Sequence, residues 1–268
     1  MTRLAVWGDP IGHSKSPALH AAAYRVLGLD WEYGRRQVTA AEFAETLGGL
    51  DGTWRGLSLT MPLKEEAFRA SATRDRHADL TGAVNTLLLG DLPAGFNTDV
   101  GGIVDALAEA GITGVASVRI LGAGATAASA LVAVSEIGAT RVAVGARKPE
   151  RAAGLIDLGA RIGVAVEAHP LDAPTHSVDL TIATLPSGTV LSGDVAAALA
   201  ANGGALFDAA YAPWPSALAS VWGEASAISG LGMLLHQAVR QIRIFRHGDP
   251  SIELPDEGAV IAAMRAAL

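Results

Sequence analysis

The sequence predicts an α/β fold divided into two domains, and three observations carry that prediction. Short runs rich in β-branched and aromatic residues alternate with longer helical patterns over most of the chain, as strands joined by crossover helices require. The glycine-rich turn Gly122-Ala123-Gly124-Ala125-Thr126-Ala127 stands between a strand-like run and a helical one. The length, 268 residues with 50% apolar types and 18% charged, supplies enough core for one large domain or two smaller ones.

In chain order, residues 4–8 read as a first strand ending in the turn Gly-Asp-Pro-Ile-Gly. Ser16-Pro17 provides an N-cap and a proline at the first helical position, opening a helix to about Leu27 that Gly28 stops. Residues 31–38 form a second strand, 41–47 a helix ended by Gly48-Gly49, and 55–60 a third strand, after which Pro62 opens a further helix. Residues 83–89 and 95–98 read as two strands joined by Gly-Asp-Leu-Pro-Ala, followed by a helix over about 101–110. The strand 118–121 leads into the glycine turn and its helix, and 141–145 is the next strand. Further strands are expected at 164–167, 178–183 and 205–208, and terminal helices at 230–247 and 258–268. The domain boundaries fall near 99–102 and near Gly230, where the chain returns to its first domain.

Composition narrows the function classes. Twenty Lys and Arg against 27 Asp and Glu give a net charge of −7 with no basic run, which argues against a nucleic-acid partner. The chain has no cysteine, which excludes a disulfide framework, a thiolate nucleophile and Cys-ligated zinc, and suits a reducing cytoplasm. The opening Met-Thr-Arg-Leu-Ala-Val-Trp-Gly is too short an apolar run for a secretion signal. The nearly uncharged stretch 121–139 follows a strand and contains glycines, serines and Glu136, so it reads as a buried helix and not a membrane span. The seven histidines are scattered without metal-ligand spacing, and no metal is expected.

The glycine turn is a dinucleotide fingerprint in its proper context. Gly122 makes the turn, Gly124 lets the backbone of Ala123, Ala125 and Thr126 approach a pyrophosphate, and the small Ala127 lets helix pack on strand. The end of the next strand selects the cofactor. Arg147, Lys148 and Arg151 cluster there, where an NAD site would carry an acidic residue on the ribose. Guanidinium grips phosphate through paired, charge-assisted hydrogen bonds, so NADP is the expected cofactor. Glu150 falls beyond Pro149, away from the ribose.

Four polar clusters lie at predicted strand ends in the first hundred residues: 13–17 (His-Ser-Lys-Ser-Pro), 60–64 (Thr-Met-Pro-Leu-Lys), 84–86 (Val-Asn-Thr) and 97–99 (Asn-Thr-Asp). Hydroxyls, an amide, a lysine and a carboxylate suit a small polyhydroxylated anion. Each alone reads equally as a helix cap or turn.

Together these clusters, with Gly122-Ala-Gly124, Asp208-x-x-Tyr211-x-Pro213 and Gly230-x-Gly232-Met233-Leu234-x-x-Gln237, are similar in order and spacing to the motifs of the shikimate dehydrogenase family. The resemblance spans nearly the whole chain. It implies reversible reduction of 3-dehydroshikimate to shikimate with NADPH, a step toward chorismate and the aromatic amino acids. It also implies a substrate domain over 1–100 and 231–268, completed by the C-terminal helices, and a Rossmann-like NADP-binding domain over 101–230. By the same resemblance Ser14 and Ser16 hold the substrate carboxylate. Thr60, Asn85, Tyr211 and Gln237 contact ring hydroxyls or the carboxylate, Lys64 and Asp99 form the catalytic pair, and Gly230, Met233 and Ala209 line the nicotinamide site. The expected partners are therefore small molecules, with neither nucleic acid nor membrane, in a monomer or homodimer.

The chain departs from the family pattern at Ser58-Leu59 for Asn-Val, at Val100-Gly101-Gly102 for the glycine directly after Asn-Thr-Asp, at Ala146-Arg147-Lys148 for Asn-Arg-Thr, and at Ala183-Thr184-Leu185 for Ala-Thr-Ser. None touches Lys64 or Asp99. The pairing makes chemical sense because hydride addition to a ketone leaves negative charge on oxygen, which a positioned ammonium can meet and then protonate. Two other readings stay open: a quinate/shikimate dehydrogenase using NAD, and a non-catalytic dinucleotide sensor.

Overall fold

The first strand, β1 (Thr2–Gly8), is buried from Leu4 to Trp7 and pairs in parallel on both sides, with β2 (Trp31–Gln37) and β3 (Trp54–Leu59). The computed structural model to which it belongs describes residues 1–173, 176–223 and 226–268. It divides into two units, Met1–Gly102 with Leu235–Leu268, and Ile103–Leu234.

In the first unit α1 (Ser16–Val26) links β1 to β2, and α2 (Phe43–Gly48) links β2 to β3. Then follow α3 (Lys64–Ala70), β4 (Thr73–Arg74), α4 (Arg76–Thr81), β5 (Thr86–Leu88), β6 (Ala94–Phe96) and the start of α5 (Thr98–Glu109). Six strands lie in the order β2-β1-β3-β5-β6-β4, with β5 antiparallel to both β3 and β6. Trp7, Phe43, Leu57, Leu59, Leu63 and Leu87 form the core on one face, where Trp7 meets Phe43 edge-on at 6.1 Å.

In the second unit β7 (Ser117–Leu121), α6 (Ala125–Glu136), β8 (Arg141–Ala146), a 3₁₀ turn (Pro149–Ala152), α7 (Ala153–Ile162) and β9 (Ala165–Pro170) form one half. The other half holds β10 (Leu180–Ala183), α8 (Gly193–Ala201), β11 (Ala205–Asp208), α9 (Ala217–Trp222) and β12 (Ala227–Ser229). The strands are parallel in the order β12-β11-β10-β7-β8-β9, the doubly wound arrangement whose direction reverses between β7 and β10. Residues Ala127 to Val134 of α6 are all buried, as its uncharged sequence requires. The chain ends in α10 (Leu231–His247), whose residues from Leu235 belong to the first unit, and α11 (Glu257–Ala266), which packs on α1.

The two-domain α/β expectation holds, and three local expectations are corrected. Ser16 does not cap α1. The Ser14 hydroxyl accepts its N–H at 3.3 Å, and Lys15 is the cap residue, with no side-chain cap. Pro62 does not open α3. Residues 60–63 close a tight turn, Leu63 N to Thr60 O at 2.8 Å, and the helix begins at Lys64. Finally, α5 begins at Thr98, not near Gly101, because Asn97 Oδ1 accepts the Asp99 N–H at 3.0 Å. Asp99 therefore sits in a helical first turn, where the helix dipole favours a carboxylate.

One glycine fixes how α10 meets the first sheet. A Cβ at Gly56 would lie 2.5 Å from Phe245 Cε1 and 2.7 Å from Leu87 O. The carbonyl cannot retreat without breaking the β3–β5 ladder. Gly56→Ala should therefore destabilise the protein by about 1–3 kcal/mol, the usual cost of overpacking, read as a lower urea midpoint at unchanged slope.

Candidate active site

The turn after β3 delivers Lys64 at the head of α3, and the Asn97 cap delivers Asp99 at the head of α5. Their side chains meet, Nζ to Oδ2 at 2.5 Å, with 15% and 7% of their surfaces exposed. So little exposure limits solvent screening of the pair while leaving the ammonium accessible.

The carboxylate is held from its other side. Asn85 Nδ2 donates to Asp99 Oδ1 at 2.8 Å. Asn85 Oδ1 accepts from Thr98 N at 2.9 Å and Thr86 Oγ1 at 2.8 Å. The Asn85 backbone bridges Leu59 N, at 2.7 Å, and Phe96 O, at 3.0 Å. Val84 N, one residue earlier, donates to Lys64 O at 3.0 Å. Beneath Asn97 lies Asp75, which caps α4 by accepting Ala78 N at 2.7 Å and also accepts Asn97 N at 3.2 Å. Burial raises its pKa, which those backbone hydrogen bonds partly offset. The sequence reading missed Asp75. Its only signal was an aspartate three residues before an alanine, which any helix cap shares.

Of the other sequence-assigned residues, Ser14 is half-buried and Ser16 buried at the head of α1. Thr60 is half-buried at the end of β3, its N–H on Trp7 O at 3.0 Å. Gln237 is buried on α10 in the first unit. Tyr33 on β2 connects to the ion pair through a run of hydrogen bonds, in which its Oη donates to Ser58 Oγ at 2.6 Å. Ser58 Oγ donates to Gln241 Oε1 at 2.7 Å, and Gln241 Nε2 to Asn85 O at 3.4 Å. Neither Tyr33 nor Gln241 was singled out from sequence. Burial pushes the Tyr33 hydroxyl well above its ordinary pKa, against its bond to Ser58, so it remains a donor. Tyr211 lies in the second unit, half-buried after β11, its pKa raised by burial.

The dinucleotide candidates gather at the strand ends of the second unit. Gly122 follows β7 with φ +115°, and a Cβ there would lie 2.5 Å from Thr184 Oγ1 just after β10, so backbone and spacing both require glycine. Ala123 follows, Gly124 precedes α6 with no side-chain cap, and Ala125 and Thr126 open a helix whose first turn has no acidic residue. The leading N–H groups are thus unclaimed by any cap side chain, an arrangement that fits a pyrophosphate. Ala127 is fully buried against the sheet. Arg147, Lys148 and Arg151 are exposed after β8, and Glu150 lies in the 3₁₀ turn. At the end of β11, a Cβ on Gly230 would fall 2.2 Å from Ala209 O, so the structure brings Ala209 and Gly230 together. Met233 is half-buried at the head of α10 in the same unit. These features fit NADP. Among the described residues no cluster of His, Asp and Glu could hold a metal ion.

Residues 6–87 match the family described as shikimate dehydrogenase substrate binding domain. The chain is 34% identical to the shikimate dehydrogenase (NADP(+)) of Methanothermobacter thermautotrophicus, over 94% of this chain and 93% of that one. It is also 34% identical to that of Bordetella avium, over 100% and 96%. Among solved structures it is similar to Mycobacterium tuberculosis shikimate dehydrogenase, with TM-score 0.85 and 39% identity over 99% of this chain and 100% of that one. It is likewise similar to the Thermus thermophilus enzyme in complex with NADP(H) and shikimate, with TM-score 0.81 and 31% identity over 100% of both.

Proposed function

The chain belongs to the shikimate dehydrogenase family, and from that premise we propose that its Lys64–Asp99 pair carries the proton-transfer half of the reversible reduction of 3-dehydroshikimate to shikimate. The protein is an NADP-dependent oxidoreductase of the shikimate pathway. NADPH, when bound, supplies the hydride.

The observation that carries the residue assignment is the 2.5 Å ion pair locked by Asn85. Lys64 Nζ donates a hydrogen bond to the ketone oxygen and meets the negative charge that develops there. Its proton passes to that oxygen, giving the alcohol. In the oxidation direction the neutral amine takes the hydroxyl proton back. Asp99 keeps the ammonium in place, and Asn85 fixes Asp99. Ser14 and Ser16 hold the substrate carboxylate, and Thr60, Asn85, Tyr211 and Gln237 its hydroxyls or carboxylate. Gly122 to Thr126 hold the pyrophosphate, Arg147, Lys148 and Arg151 the 2′-phosphate, and Ala209, Gly230 and Met233 the nicotinamide. The first unit is accordingly the substrate unit and the second the NADP unit.

The net charge of −7 disfavours nucleic acid as a partner. Among the described residues no helix is long and apolar enough to cross a membrane. The chain's lack of cysteine supports a reducing cytoplasm as its compartment.

Initial rates with NADP and NAD, each against shikimate and quinate, test this reading. NADP with shikimate should give the highest kcat/KM. Preference for NAD, or quinate used as well as shikimate, favours the broader quinate/shikimate enzyme, and no turnover with any pair favours a dinucleotide sensor.

A further inference from the structure

A buried cluster linked to the ion pair through Gln241 and Asn85 takes no part in the proposed proton transfer. His20, one turn after Ser16 on α1, has no exposed surface, and its ring stacks on Tyr33 with 3.8 Å between centroids. Its Nδ1 is 2.9 Å from Tyr24 Oη and its Nε2 3.3 Å from Gln241 Oε1. Gln241, one turn beyond Gln237, is also buried. Burial lowers the His20 pKa to about 3, against the hydrogen bond its ring donates to Gln241 Oε1, so the ring is neutral.

A neutral imidazole has one donor and one acceptor, and one tautomer satisfies the whole cluster. Tyr33 donates to Ser58 and Ser58 to Gln241 Oε1. With Nε2 protonated, His20 donates to the same oxygen, while Nδ1 accepts the Tyr24 proton. The amide of a glutamine has nearly the same shape when flipped, so shape alone does not orient it. Two donors converging on one side hold its oxygen there and turn its nitrogen toward Asn85 O. The flipped amide would set two carbonyl oxygens against each other.

We infer that His20 is a positioning residue: its Nε2–H holds the Gln241 amide, and through Gln241 and Asn85 it places the Asp99 carboxylate on which the Lys64 ammonium rests. The hydrogen bonds run without a break from His20 through Gln241 O and N, the Asn85 backbone and side chain, and Asp99 to Lys64. They also join the elements that carry Ser16, Thr60 and Gln237. This inference rests on the assignment of Lys64 and Asp99 above.

Two substitutions separate positioning from packing. His20→Phe keeps an aromatic ring against Tyr33 and removes both nitrogens. His20→Gln gives up the ring but restores an N–H within reach of Gln241. Shikimate oxidation by His20→Phe should show kcat lowered by roughly 5- to 50-fold, the scale of a small misplacement of reacting groups, with the KM for NADP unchanged. His20→Gln should recover most of that loss although its packing is poorer. A folded His20→Phe with kcat within about twofold of the unsubstituted protein would overturn the inference, as would equal impairment of both variants at equal melting temperature. If His20→Phe does not fold, Gln241→Met removes the acceptor at similar length, and a normal kcat there overturns it equally. An unsubstituted protein that does not oxidise shikimate refutes the functional reading and this inference together, whereas an active one with an unaffected His20→Phe variant refutes the inference alone.

Discussion

Lys64→Ala should lower kcat for shikimate oxidation by roughly 10²–10⁴-fold, the usual contribution of a positioned acid–base group. That range corresponds to about 3–5 kcal/mol of transition-state stabilisation. Shikimate affinity should fall less, since Ser14, Ser16, Thr60 and Asn85, the residues proposed to hold carboxylate and hydroxyls, remain. NADP affinity should hardly change, because the residues proposed to bind its phosphates belong to the other unit. If Lys64 only neutralised Asp99, the outcome would differ: the unpaired, 7%-exposed carboxylate would lower the melting temperature, and binding and turnover would fall together. Turnover, both affinities and thermal stability measured on one variant distinguish the two. A folded, NADP-binding variant with near-normal turnover would falsify the catalytic assignment.

Arg147→Ala should raise the KM for NADP by about 10- to 100-fold while leaving the KM for NAD within about twofold. Only NADP carries the 2′-phosphate, and hydrogen bonds to a charged group contribute about 1.5–3 kcal/mol, a factor of ten for each 1.4 kcal/mol. Lys148 and Arg151 lie close in sequence and retain some attraction, so the double variant Arg147→Ala/Lys148→Ala should lose more NADP affinity than either alone. The loss should also shrink at high ionic strength, since these side chains are exposed and screened. Equal losses with NADP and NAD would instead assign Arg147 a structural role at the end of β8.

Local signals made much of the fold legible. Most of the doubly wound unit was readable because β7, β8, β10 and β11 are short apolar runs and glycines mark the turn after β7. Gly122 is the clearest case, since its positive φ and its contact with Thr184 leave no other residue. The elements that escaped are those with little local preference. β4 is two residues long and α4 only six. α4 is held by Asp75, whose carboxylate also takes the Asn97 amide 22 residues away. The start of α5 was misread for the same reason: its cap is a side chain in what reads locally as a strand end.

The site divides the same way. Sequence by itself determined the residue types at the strand ends, the glycine cradle, the basic tip after β8 and the family to which they conform. It could not determine which of them touch. Lys64 and Asp99 are 35 residues apart, and they meet because antiparallel β5 is inserted between β3 and β6, which carries the Asn97 cap to the head of α3. His20 and Gln241 are 221 residues apart, and each alone reads as an ordinary polar residue on an amphipathic helix. Only the tertiary structure buries them together. A polar group removed from water must find its partner within the protein, and that requirement turns two unremarked side chains into one oriented hydrogen-bond chain.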